Sequence, residues 1–187
     1  MKRLLLLLPV AVLVAAPLPA QESADTSNAE LREIFEQDQA ARSPGGNLSQ
    51  SDDEARIKRV LELIAAGEVS TPEDRFRAAV VLQHTPRTWC EGKLTSQGTD
   101  NYLLAHFLAR EAFDNGVERA GWLSAAAIDR YLVSSGKPQK YGTQRSLNRE
   151  TGKMELDPID PATTDEERAA LGVPPLKEIL ERSRGGR

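Results

Sequence analysis

The chain has 187 residues, 40% of them hydrophobic, with 24 Lys and Arg against 28 Asp and Glu and a formal charge of −4. That length suits one domain with a real core, because about 150 residues bury roughly 70% of their unfolded surface. The acidic balance disfavours non-specific binding to nucleic acid or to an anionic membrane, and a single cysteine, Cys90, excludes an internal disulfide, so the fold must rest on apolar packing.

The first twenty residues have the pattern of an export signal: Lys2 and Arg3, an apolar run from Leu4 to Ala16, and a small-residue end at Pro19 and Ala20. Pro9 interrupts the run, which falls short of the about 20 apolar residues that a membrane span needs. Cleavage is expected after Ala20 and leaves 22 basic against 28 acidic residues, a formal −6. No Cys follows the run to take a lipid, so the expected product is soluble, periplasmic or extracellular, with no membrane span. Residues 21–27 are polar and are expected to be a flexible lead-in.

Ser27 with Glu30 predicts a capping box, and Leu31, Ile34 and Phe35 recur at helical spacing up to the break at Ser43, Pro44, Gly45 and Gly46. Ser51 with Glu54 predicts a second start, leading a helix through Ile57, Val60, Leu61 and Ile64 to Gly67. Thr71 and Pro72 followed by two acids predict a third helix running to about His84. Thr85 to Gly98, with Pro86 and Gly92, is expected to be a loop. Cys90 within it is either a nucleophile or intermolecular bridge, or a small residue packed beside Trp89; no His adjoins it in sequence to activate a thiolate.

Two long helices are predicted next, over 100–114 and 118–135, separated by Asn115 and Gly116. The second is apolar on most sides, the mark of a central helix. Ala105, Ala109, Ala112, Ala120 and Ala127 suit a tight helical hairpin of the kind found in tetratricopeptide or Sel1 repeats, although no repeat period is present. Tyr141 to Leu147 and Met154 to Leu156 alternate as a β-hairpin. Asp157 to Pro161 must then be extended, Thr164 with Glu167 caps a short helix, and Pro174 and Pro175 lead a last one. The expected fold is mainly α: antiparallel helical hairpins with a small C-terminal β-hairpin and two short helices. One domain is expected over 28–183, with a helical body (28–136), an arm (137–183) and a tail (184–187).

Two carboxylates sit on apolar stripes, Asp38 with Leu31, Ile34 and Phe35, and Asp129 with Trp122, Ala125, Ala126 and Val133. A carboxylate taken out of water needs a cation, a cluster of donors or a raised pKa. Arg42, Arg130, His84 and His106 are the available partners. Asp38, His84 and Asp129 could converge with Arg130, Tyr141, Thr143 and Gln144 on a polar pocket, in which His84 and Asp129 are the candidate catalytic residues. Alternatively Asp129 caps loop amides, or pairs an arginine, to fix the arm. Spacing leaves both open. The two histidines are not spaced as metal ligands and no His/Cys cluster is present, so neither a metal nor a cofactor is expected.

These residues resemble the uncharacterised bacterial domain-of-unknown-function family 6624. The resemblance is carried by Asp38-Gln39, Gln83-His84, Asp129-Arg130, the run Gln139-Lys140-Tyr141-Gly142-Thr143-Gln144, and Asp165, Arg168 and Leu171 to Leu176. Glu68 to Phe76 stands where many relatives carry a Gly-Trp segment. The resemblance implies a helical domain, often exported, and supplies no activity. With the pocket residues it marks Asp38, Gln39, Gln83, Arg130, Gln139, Tyr141, Thr143 and Gln144 as candidate binding positions.

Two function classes follow. One is an exported binding or protein-interaction module of the bacterial cell envelope, taking an unknown protein or small-molecule ligand in a groove between the helices and the arm. The other is a small metal-independent hydrolase-like enzyme, with His84 as acid or base, Asp129 orienting it, and Arg130 or Gln144 donating to an anion or oxyanion. An inhibitor or immunity-like partner shares only the acidic charge. The discriminating expectation is that His84, Asp129 and Gln144 meet in one open cleft.

Overall fold

Helix starts in this chain are set by polar side chains that take up amides with no partner inside the helix. The computed structural model describes residues 26–90, 93–96 and 98–184, with the backbone alone at 88–90, 93–95 and 184. The expected export signal and the side chains of Trp89 and Cys90 lie outside the described residues. Helix α1 (Ala29–Arg42) is capped by Asn28, whose side chain accepts from the Leu31 amide, and not by Ser27. Helix α2 (Gln50–Ala65) is capped by Ser49, two residues before the expected Ser51. Both shifts have one cause: several Ser, Asn and Asp residues crowd each start, and any of them can accept from the amide three residues on.

Helix α3 (Pro72–Leu82) starts as predicted. Thr71 and Asp74 form a capping box, and Gln83 ends the helix, so His84 lies just beyond it. The fully buried Asp74 also accepts from the Asn28 amide at 2.9 Å, which ties the start of α1 to the start of α3. Thr71→Ala removes the cap, and a loss of about 1 kcal/mol is expected, read as a lower urea midpoint at unchanged slope.

Residues 85–98 do not form only a loop. Strands β1 (Arg87–Cys90) and β2 (Lys93–Ser96) pair antiparallel, with Arg87 opposite Ser96. Helix α4 (Thr99–Asp114) and helix α5 (Ala120–Ser134) then run back along each other, with Ala105, Ala109, Ala112, Ala120 and Ala127 fully buried. Gly121 shows how close the contact is, since a Cβ there would lie 2.9 Å from the Phe113 ring. Helix α3 packs on α1, α2 and α4, and its Ala78, Ala79, Val81 and Leu82 join Leu31, Val60 and Leu63 in the main core.

The arm contains strands β3 (Arg145–Asn148) and β4 (Lys153–Leu156) and helices α6 (Asp165–Ala169) and α7 (Leu176–Arg184). Strand β3 begins four residues later than the alternation from Tyr141 predicts, because Lys140, Tyr141 and Thr143 spend their amides on Asp129. A second apolar cluster of Ala125, Tyr141, Leu171, Val173 and Ile179 fastens the arm to α5. Gly142 is required there: its φ is +90° and a Cβ would meet Ile159 at 3.0 Å. Helix α5 is not covered on every side, since Trp122 is half exposed between Gly142, Arg145 and Arg182. The molecule is mainly helical, as expected, and no helix among the described residues is long and apolar enough to cross a membrane.

Candidate functional site

The polar centre of the molecule forms where the end of α3 meets α1. His84 Nδ1 lies 2.8 Å from Asp38 Oδ2, and Asp38 is buried to 1% exposure. Gln39 Nε2 donates to the same oxygen at 2.8 Å. The other carboxylate oxygen faces Arg42 at 2.9 Å and Arg56 at 3.9 Å, and both guanidinium groups also reach Asp53, at 3.0 and 2.6 Å. A carboxylate only accepts, so Nδ1 is the donor, and in the neutral form of such a ring the lone pair is on Nε2. The four groups on α1 and α2 balance one another, two cations against two anions.

Across the cleft from this cluster stands Arg130, from α5. Its Nη1 donates to the Gln83 carbonyl at 2.7 Å and to Gln83 Oε1 at 3.3 Å, and its Nε donates to Gln144 Oε1 at 3.2 Å. All of these partners are neutral. Burial pulls the Arg130 guanidinium below its ordinary pKa; Tyr102 opposes this, and the positive charge of nearby Arg87 adds a smaller push downward. Among the described residues Arg130 has no carboxylate partner. Arg42, Gln83, His84, Thr85, Arg87, Tyr102 and Arg130 line a cleft of about 170 Å³. Its hydroxyls are committed: Tyr102 donates to the Thr85 carbonyl at 3.0 Å, and Thr85 Oγ1 donates to the Leu82 carbonyl at 2.7 Å. A larger groove of about 480 Å³ on α2 is lined by Ile57, Leu61, Ala65 and Pro86, with Glu54, Lys58 and Glu62 at its rim, and lacks such a convergence of cations.

Asp129 has a different task. It is fully buried, and its Oδ1 accepts from the amides of Lys140 and Tyr141 at 2.7 and 2.9 Å, while Oδ2 accepts from the amide and hydroxyl of Thr143 at 3.0 and 2.8 Å. Arg168, also buried, holds the same loop from its carbonyl side, donating to Lys140 and Tyr141 at 3.4 and 3.3 Å. Gln139 closes the loop by accepting from the Gln144 amide at 2.7 Å and donating to the Gln144 carbonyl at 3.0 Å. Gln144 Nε2, donating to the Ala126 carbonyl at 3.2 Å, then presents Oε1 to Arg130. The loop therefore acts on the cleft through one residue, Gln144.

A family model described as a family of unknown function, DUF6624, matches residues 77–184. The chain belongs to this family. The matched DUF6624 span holds Gln83, His84, Arg130, the 139–144 loop and Arg168, whereas Asp38, Gln39 and the whole of α1 and α2 precede it. Comparison with curated proteins and with solved structures returned no match.

The residues expected to converge in this DUF6624 member thus separate into two groups. Gln83, His84 and Arg130 line the cleft, Asp38 and Gln39 stand behind His84, and Gln144 supports Arg130 from behind. Asp129, Gln139, Tyr141 and Thr143 belong to the loop closure, with the Asp129 oxygens occupied by loop donors, so the carboxylate that orients His84 is Asp38. Arg87, Arg56, Asp53 and Tyr102 were missed, and Arg168 figured only among the residues that carry the family resemblance. Asp53 and Arg56 carried a signal, three residues apart on the side of α2 that leads to Ile57. Arg87 carried none, lying in a segment expected to be loop. Among the described residues no group of three or more His, Cys, Asp or Glu is placed to hold a metal ion.

His106 lies apart, with Nδ1 2.9 Å from the Ser124 carbonyl and its ring against Phe107. Burial lowers its pKa below the ordinary 6.5; the hydrogen bond to Ser124 opposes this, Arg110 and Lys140 add to it, and Asp129 opposes it. The unfolded chain therefore takes up this proton first. The stability that His106 contributes is whole above pH 6.5 and is lost as pH falls from there through the folded-state value. An NMR titration is expected to place the His106 midpoint below 6.5 in the folded protein; a midpoint at or above 6.5 would contradict the burial argument.

Proposed function

We propose that this protein is an exported binding module of the cell envelope whose cleft at His84 takes a small anionic ligand. The observation that carries this reading is Arg130, a partly buried guanidinium that lies over the Tyr102 ring at 5.8 Å, whose hydrogen bonds all go to neutral amide oxygens and which has no carboxylate partner among the described residues. Burying a cation without a counter-charge costs several kcal/mol, and that cost is offset when an anion arrives. Arg87 adds a second positive charge, so the cleft is locally cationic in a chain of net charge −4. The export part of the reading is supported by the basic, apolar and small-residue pattern of residues 1–20.

Calorimetry on the protein lacking residues 1–20, with inorganic phosphate, sulfate and citrate, tests the site. At least one anion is expected to bind, with an affinity that falls as salt rises. No binding of any of the three at about 10 mM ligand in low salt, a range that covers weak millimolar affinities, would end the proposal. Fractionation of cells expressing the full chain tests export. A second reading, a hydrolase-like enzyme, is favoured by one observation, the 2.8 Å contact that orients His84 towards acid-base work.

A further inference from the structure

We infer that the cleft is built for the phosphoryl group of a phosphomonoester and that His84 moves the proton in its hydrolysis; this rests on the anion-binding reading above. Charge selects the group. Arg42 and Arg56 are matched by Asp38 and Asp53, so the uncompensated charge at the cleft is that of Arg87 and Arg130, two positive charges. A phosphomonoester dianion neutralises both, whereas a single carboxylate neutralises one. Guanidinium donors suit phosphoryl oxygens geometrically as well. The small volume admits a terminal group and leaves the rest of the substrate outside.

The side chains also indicate the kind of chemistry. Among the described lining residues no hydroxyl is free to act as nucleophile, since Thr85 and Tyr102 both donate to backbone carbonyls. His84 is differently placed. Its Nδ1 hydrogen is held by Asp38, and Nε2 has no recorded partner among the described residues. In the proposed step water is the attacking group and Nε2 is its base. As its oxygen bonds to phosphorus, one water proton passes to Nε2. The bond from phosphorus to the ester oxygen breaks with its electron pair going to that oxygen, which lies on the far side of phosphorus from the attacking water and takes its proton from solvent, while Nε2 gives its proton up to solvent. The products are an alcohol and inorganic phosphate, and the imidazole is regenerated. Arg87 and Arg130 bind the phosphoryl oxygens throughout, and Asp38 is a positioning residue that fixes the tautomer.

The test uses 4-nitrophenyl phosphate as substrate and inorganic phosphate as binding probe, with the chain lacking residues 1–20. The wild type is expected to turn over and to bind phosphate. His84→Gln is expected to lower kcat by about 10²-fold or more, with phosphate affinity changed by less than about 3-fold. Arg87→Gln, at an exposed position that does not threaten folding, is expected to raise KM about 10-fold with a smaller effect on kcat. Asp38→Asn is expected to alter the pH profile of kcat as well as its size, which a purely structural role would not do. Phosphate binding without turnover in the wild type overturns this inference and leaves the binding reading standing. Turnover that survives His84→Gln overturns it too, and so does binding of citrate but not phosphate. Failure of every anion to bind removes both readings.

Discussion

Asp129→Asn is expected to lower the unfolding free energy by about 3–5 kcal/mol, the cost of breaking a buried, fully hydrogen-bonded charge. The asparagine has nearly the same shape, so the loss is one of hydrogen-bond chemistry. Asp129 receives four donors, two on each oxygen. An amide keeps one oxygen and puts an NH2 where the other stood. In one orientation that NH2 faces the Lys140 and Tyr141 amides, and in the other the Thr143 amide and hydroxyl. Either way buried donors point at donors. Urea unfolding at neutral pH, with unchanged slope, measures the loss. A loss below about 1 kcal/mol would mean that the 139–144 loop is held mainly by Arg168 and Gln139, since a single net hydrogen bond is worth that much. The loop reaches the cleft through Gln144, so the folded fraction of this variant is also expected to bind anions more weakly.

Arg130→Met is expected to do the reverse. Methionine fills a similar volume without a charge, and removing a partly buried guanidinium that has no counter-ion should leave stability unchanged within about 1 kcal/mol or raise it. The side chains of Gln83 and Gln144 are partly buried and can turn to water, and the Gln83 carbonyl, at the partly exposed end of α3, can accept from water in the cleft. Anion binding, by contrast, is expected to weaken by about 2–4 kcal/mol, on the order of 10²-fold, because the deepest cation of the cleft is gone. Thermal unfolding with and without phosphate reads both effects together, since the ligand-induced rise in Tm should disappear while the ligand-free Tm holds. A marked drop in the ligand-free Tm would make Arg130 a structural tie between α3 and α5.

The contrast between the two variants shows what could be read from the chain before its fold was known. Helical spacing placed Asp38 and Asp129 on inward faces, and both are buried. Spacing says which way a side chain points along its own helix; it does not say what stands opposite. His84 meets Asp38 because α1 packs on α3, and Asp129 meets residues 140–143 because the chain after α5 turns back over it. Cap positions moved by one or two residues where several capping residues were adjacent. The β1–β2 pair went unread because its strands are only four residues long, too short for alternation to stand out. Arg87, at the start of β1, was hidden with it.

The span shared with DUF6624 begins at Arg77, in the middle of α3 and one residue after the core side chain Phe76. Kinship and cohesion therefore have different borders in this chain. A fragment cut at the border of kinship would start half-way along a helix, without the Thr71 and Asp74 box that begins it. It would also present the His84 imidazole without its anchor, free to turn over and show either nitrogen to the cleft. The two leading helices thus supply a missing handedness to a ring that the shared span carries, and a relative that dispensed with them would have to find a carboxylate for that ring elsewhere.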